Sequence, residues 1–195
     1  FPTEGSSATL TSTFSGGFLK GDEHYHKHLL NLDWYTPTIW KFVLTSSLKI
    51  GSIKMLKVNN RSYTYIPPYE RFIMGGNGIP YGTMLRGYPD NSIGPLTTQG
   101  RGSGGNTMIK YTTEFRFPFS ENPVVFAMLF AEAGNVWQDT RLMSTLRYER
   151  TNPLDLKRSA GIGIRFFMPM IGKLGFDFGY GFDLKVSKIT GVLAF

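Results

Sequence analysis

From residue 174 to residue 183 the chain alternates without a break. Leu174, Phe176, Phe178, Tyr180 and Phe182 are apolar, and Gly175, Asp177, Gly179, Gly181 and Asp183 stand between them. Successive side chains of a β-strand point to opposite faces. This segment therefore presents one greasy face and one small or charged face, an arrangement that a helix would scatter around its axis. The pattern recurs along the chain, and that recurrence is the strongest constraint on the fold. Residues 6–15 set Ala8, Leu10 and Phe14 against Thr9, Thr11, Thr13 and Ser15. Residues 24–35 set Leu30, Leu32 and Trp34 against Lys27, Asn31 and Asp33. Residues 39–53 oppose Trp40, Phe42, Leu44, Leu48 and Ile50 to Lys41, Thr45, Ser47 and Lys49. Residues 107–117 oppose Ile109, Tyr111, Phe115 and Phe117 to Lys110, Thr112, Glu114 and Arg116. Residues 158–167 oppose Ala160, Ile162, Ile164 and Phe166 to Ser159, Gly161, Gly163 and Arg165, and 185–195 closes the chain with Ile189, Leu193 and Phe195 on one face. Val124–Trp137 is the weakest case, apolar on both faces until Glu132.

A soluble sandwich would also alternate. The connections point elsewhere, because short ones at 36–38, 118–123 and 168–173 take turns with longer ones at 16–23, 54–106 and 138–157, and a modest one near 183–185. Membrane barrels show this rhythm, with short turns on one side and long loops on the other. Strands of ~10–14 residues cross ~30 Å of hydrocarbon when tilted. Trp34, Tyr35 and Trp40 gather beside one short turn and Phe166 and Phe167 beside another, as an interfacial belt requires. No run approaches the ~18 apolar residues of a membrane helix, so any crossing is by strands. The expected fold is all-β, a transmembrane antiparallel β-barrel, with 1–195 as one region and no internal domain boundary. With no cysteine, disulfides, thiolate chemistry and Cys-based metal sites are excluded. The charge of +7 is read as Lys and Arg lining a lumen and meeting acidic lipid headgroups, not as a nucleic-acid surface.

The connection at about 54–106 is far too long for a surface turn, and loops of that length are functional or disordered. Its aromatics (Tyr63, Tyr65, Tyr69, Phe72, Tyr81 and Tyr88) argue for order. It carries Leu85-Arg86-Gly87-Tyr88 between glycine-rich stretches. Here the chain resembles the BamA family, outer-membrane barrels that insert other barrels, together with their secretion-translocase relatives. In that family an Arg-Gly-aromatic motif at the tip of a long extracellular loop folds back into the barrel. The stretch Phe130-Ala131-Glu132-Ala133-Gly134-Asn135-Val136-Trp137 resembles the family strand whose acidic residue, commonly Asp, pairs with that arginine. The resemblance implies that Arg86 meets Glu132, with Glu114 as a second lumen carboxylate that Arg116 could also occupy.

Other candidates are weaker. His24, His26 and His28 share one strand face, a geometry fit for a metal, but that face continues into Leu30, Leu32 and Trp34 and reads as an interfacial stripe. Neither 75–78 nor 100–105 matches a phosphate-binding glycine loop; their glycines let the long loop bend. No paired-carboxylate or Ser/His/Asp constellation has a pocket context, so no catalytic residue, no cofactor and no metal are expected.

The resemblance covers essentially the whole chain. It implies the C-terminal eight strands of a barrel of about sixteen, part of a longer protein in the bacterial outer membrane. The implied function is assembly and insertion of nascent outer-membrane β-barrel proteins, helped by accessory subunits or lipoproteins. A lateral seam near Gly191 and Phe195 would template client strands, since unpaired strand edges invite strand addition. The alternatives are a polypeptide-secretion translocase of the same superfamily and a passive eight-stranded structural or adhesion barrel. A small barrel's interior holds side chains only, so a folded-in loop counts against the last.

Overall fold

The computed structural model describes every residue except 1, 18–19, 59–60, 63–65, 79–80, 96–101, 122–123, 139–153, 169–171 and 185–195. Seven long strands form one antiparallel sheet: β1 (Gly5–Ser15), β2 (Tyr25–Pro37), β3 (Val43–Met55), β6 (Thr107–Glu121), β7 (Val124–Trp137), β8 (Lys157–Met168) and β9 (Gly172–Gly181). They lie in chain order, each paired with the next. Two short strands, β4 (Lys57–Val58) and β5 (Arg61–Ser62), form a separate hairpin inside the long connection between β3 and β6. Among the described residues β1 and β9 are the two edges, and the sheet does not close on itself. The eighth strand read at 185–195, with Gly191 and Phe195, lies outside the described residues.

Register explains the two faces. Leu32 stands opposite Leu48, Leu48 opposite Tyr111, and Ile162 opposite both Leu129 and Phe178. This face is exposed: Phe176 at 71%, Phe178 at 65% and Tyr180 at 66%. Large exposed apolar side chains in an unbroken band belong in lipid. The opposite face packs a core that is shared between the sheet and the long loop. Ile66, Phe72, Met74, Leu85, Tyr88 and Ile93 from the loop meet Tyr25, Ile53, Met108 and Val136 from the wall. The wall is recessed for them: a Cβ on Gly51 would stand 2.6 Å from the Phe72 ring. Inside the loop, bridges of Met74 to Thr83 and Ile93, and of Phe72 to Gly105, replace regular secondary structure.

Two sequence expectations are corrected. The third strand begins at Val43, not at 39. Trp40 adopts φ 64°, and the Thr38 N–H reaches the Phe42 carbonyl at 2.9 Å, so 38–42 is a turn. Trp40 (83% exposed) and Ile39 are presented at that end, beside the edge-to-face rings of Phe42, Phe115 and Phe117. The second correction concerns His24, which precedes β2 instead of joining its outer face. Gly16 and Gly17 turn back in the left-handed region (φ 70° and 64°), and the Gly17 N–H donates to His24 Nδ1 at 2.8 Å. His24 is thereby buried under the 16–17 turn, away from His26 and His28, whose rings contact each other.

Candidate functional site: a docked loop tip

The tip of the long loop lies against the inner face of β6, β7 and β9. Arg86 is 6% exposed and Glu132 3%. A guanidinium keeps its proton in any protein setting, so burying one requires carboxylates. Arg86 Nη2 donates to Glu132 Oε1 at 2.8 Å and to Glu114 Oε1 at 2.9 Å, and the Arg86 backbone N–H donates to Glu132 Oε2 at 2.8 Å. Asp177 Oδ1 stands 3.8 Å from Nη1. The guanidinium carbon lies 3.7 Å from the centroid of the Phe130 ring, close enough for a cation–π contact. Glu132 thus grips both the side chain and the main chain of the tip.

β7 supplies these partners because alternate residues share one face: Phe126, Met128, Phe130, Glu132 and Val136 all turn inward and are buried. The apolar inner face that made this strand hard to read is the surface on which cations stack. Phe130 lies under Arg86, and Phe126 lies 5.7 Å from Arg116. Glu114 serves two arginines at once, with Oε1 on Arg86 and Oε2 on Arg116 at 2.7 Å.

Lys110 was not singled out in the sequence. Its Nζ lies 2.9 Å from Glu132 Oε1, and in register it faces Lys49 across β3 and β6. Its place two pleat steps before Glu114, on the same face, was the signal for it. A second anchor holds the loop farther along: Lys27 pairs with Glu70 at 3.1 Å, and the Tyr69 hydroxyl donates to the Glu23 carboxylate, which pushes the phenol up to about 12.

Gly87 follows Arg86 at φ 82°. A Cβ there would stand 2.8 Å from Gly181 N and from the carbonyl carbon of Tyr180, so the tip meets β9 backbone to backbone. Leu85 is fully buried in the core and Tyr88 is 6% exposed, its hydroxyl donating to the Arg158 carbonyl at 2.7 Å. Leu85, Arg86, Gly87, Tyr88, Glu114 and Glu132 are therefore one cluster; Gly191 and Phe195 lie outside the described residues. No group of three or more His, Asp or Glu side chains that could hold a metal occurs among the described residues.

The Omp85 superfamily domain matches residues 1–190. The outer membrane protein assembly factor BamA of Nitratidesulfovibrio vulgaris is 25% identical over 183 residues, covering 93% of this chain and 21% of that protein. The chain spans about a fifth of the length of this relative. The crystal structure of BamA from Haemophilus ducreyi lacking POTRA domains 1-3 superposes with a TM-score of 0.71 at 24% identity, covering 95% of this chain and 36% of that one. That likeness establishes the fold.

Proposed function

Because the chain belongs to the Omp85 superfamily and forms part of a BamA-family outer-membrane barrel, we propose that the whole protein folds and inserts nascent outer-membrane β-barrel proteins. The work is done by binding and strand pairing, with no bond made or broken and no cofactor. Client strands are templated at a lateral seam, where an edge with unpaired backbone groups invites strand addition. Accessory subunits and acidic lipid headgroups are its further partners. Within this scheme the docked loop stiffens the wall facing the lumen.

The observation that carries the reading is the guanidinium of Arg86, buried between Glu132 and Glu114 on the inner wall. Arginine offers a planar fork that lysine cannot reproduce. The test uses the full-length protein in liposomes with an unfolded outer-membrane barrel as client. Arg86→Ala slows insertion by at least ~10-fold and exposes the loop to protease, and Arg86→Lys gives an intermediate loss, in line with several kcal/mol for a broken buried pair. Insertion and loop protection equal to the unmutated protein in Arg86→Ala would refute the role.

A further inference from the structure

The tip touches β9 as well as the acidic wall, and β9 is followed in the chain by 185–195, the stretch to which the family resemblance assigns the proposed seam. Three glycines allow this approach. A Cβ on Gly179 would stand 2.9 Å from Gly87 N, and one on Gly181 would stand 2.5 Å from Gly87 O. Above this notch the β8–β9 ladder ends at Ser159 opposite Gly181. What joins the rim beyond that point is largely a set of contacts around Tyr88. Its hydroxyl donates to the Arg158 carbonyl at 2.7 Å and accepts the Asp183 N–H at 3.3 Å. The same Arg158 carbonyl accepts the Phe182 N–H at 2.9 Å. Arg158 closes the ring by donating to both oxygens of the Asp183 carboxylate, Nη2 to Oδ1 at 3.0 Å and Nε to Oδ2 at 3.2 Å, while its backbone N–H reaches Oδ2 at 2.9 Å.

We infer that Tyr88, Arg158 and Asp183 form a clasp that ties the rim of β8–β9 to the docked loop tip and thereby restrains the opening of the seam. The seam half of this rests on the insertase reading above; the rim half does not. Tyr88 is a positioning residue here, separate from the charge network. Its ring is buried in the core, so replacing the hydroxyl alone leaves the packing in place. Arg86 keeps Glu132 and Glu114 whatever happens at the clasp, so the two contacts can be released independently.

The experiment is hydrogen exchange on the full-length protein in liposomes, comparing Tyr88→Phe and Asp183→Asn with the unmutated chain, alongside insertion of the same client. The Asp183 N–H reports directly, because it donates to the removed oxygen. Losing one hydrogen bond speeds exchange at 180–184 about fivefold and leaves β7 unchanged, since a local clasp opens locally. Client insertion becomes faster as the seam opens more often. Unchanged exchange at 180–184 overturns the clasp, as does an equal rise across β7, which would mark general loosening. Faster rim exchange with an unaltered insertion rate overturns the restraint on the seam. An unmutated protein that inserts no client overturns the insertase reading instead, and the exchange data then decide the rim contact alone.

Discussion

Removing Glu132 should harm the barrel more than removing Arg86, although each is half of the same pair. The reason is charge balance on the inner wall. Lys110, Arg86 and Arg116 are held mainly by two carboxylates, Glu132 and Glu114, because Asp177, 3.8 Å from Arg86, is already bound to Arg165 at 2.6 Å. In Arg86→Ala the remaining groups fall into two complete pairs, Lys110 with Glu132 at 2.9 Å and Arg116 with Glu114 at 2.7 Å. Neither carboxylate loses its last cation, and only the loop is released. In Glu132→Ala Arg86 and Arg116 share Glu114, and Lys110 faces Lys49 with its own acid gone. Like charges directly opposite across a sheet repel, and breaking a buried pair by removing one partner costs about 3–5 kcal/mol. Arg86→Ala should therefore raise loop cleavage while leaving the temperature of barrel unfolding nearly unchanged. Glu132→Ala should raise cleavage at least as much and also lower the unfolding temperature. The assay is limited proteolysis of the full-length protein beside a heat-shift gel of the folded barrel. Equal barrel stability in the two variants, or a larger loss in Arg86→Ala, would refute the charge count.

Three further outcomes are expected. Gly87→Ala places a Cβ 2.8 Å from the β9 backbone at a left-handed φ of 82°, so the tip should undock and loop cleavage should approach that of Arg86→Ala; protection like that of the unmutated chain would show that the tip does not touch β9. The clasp should also respond to acid. The Arg158 guanidinium donating to Asp183 holds its carboxyl below the usual carboxylate range, so its contribution is present above the unfolded value of ~3.9 and lost as pH falls through the lower folded value; exchange at 180–184, corrected for intrinsic rates, should be flat from neutral pH to about 5 and rise only below about 4. Finally, Trp40 is 83% exposed at the short-turn end and Trp137 is buried at 4%, so brominated lipids should quench a version of the protein retaining only Trp40 and spare one retaining only Trp137.

The strands were legible because their two faces meet different media. Where lipid is on one side and a small or polar surface on the other, as in β9 and β6, alternation survives in the sequence. β7 blurred it because its inner face serves a docked loop, not water: Phe126 and Phe130 stack with arginines and Val136 joins the core. Boundaries failed where a turn took residues of strand-like composition. Trp40 in a left-handed conformation and His24 capped by Gly17 both carry side chains that look extended on paper. Arg86 and Glu132 stood out by their motifs. The doubling of Glu114 between Arg86 and Arg116, and the third claim of Lys110 on Glu132, did not. Such sharing depends on where a loop backbone comes to rest, and the loop's few isolated bridges leave no periodic trace.

A double-mutant cycle between Arg86 and Glu132 tests the docked tip most directly, read as the equilibrium between protected and cleavable loop in the full-length protein. Contact at 2.8 Å between two buried side chains should give a coupling energy of at least about 2 kcal/mol, in the upper range for touching residues. Losses that simply add, to within about 0.5 kcal/mol, would place the guanidinium away from that carboxylate and contradict a loop locked onto the inner wall.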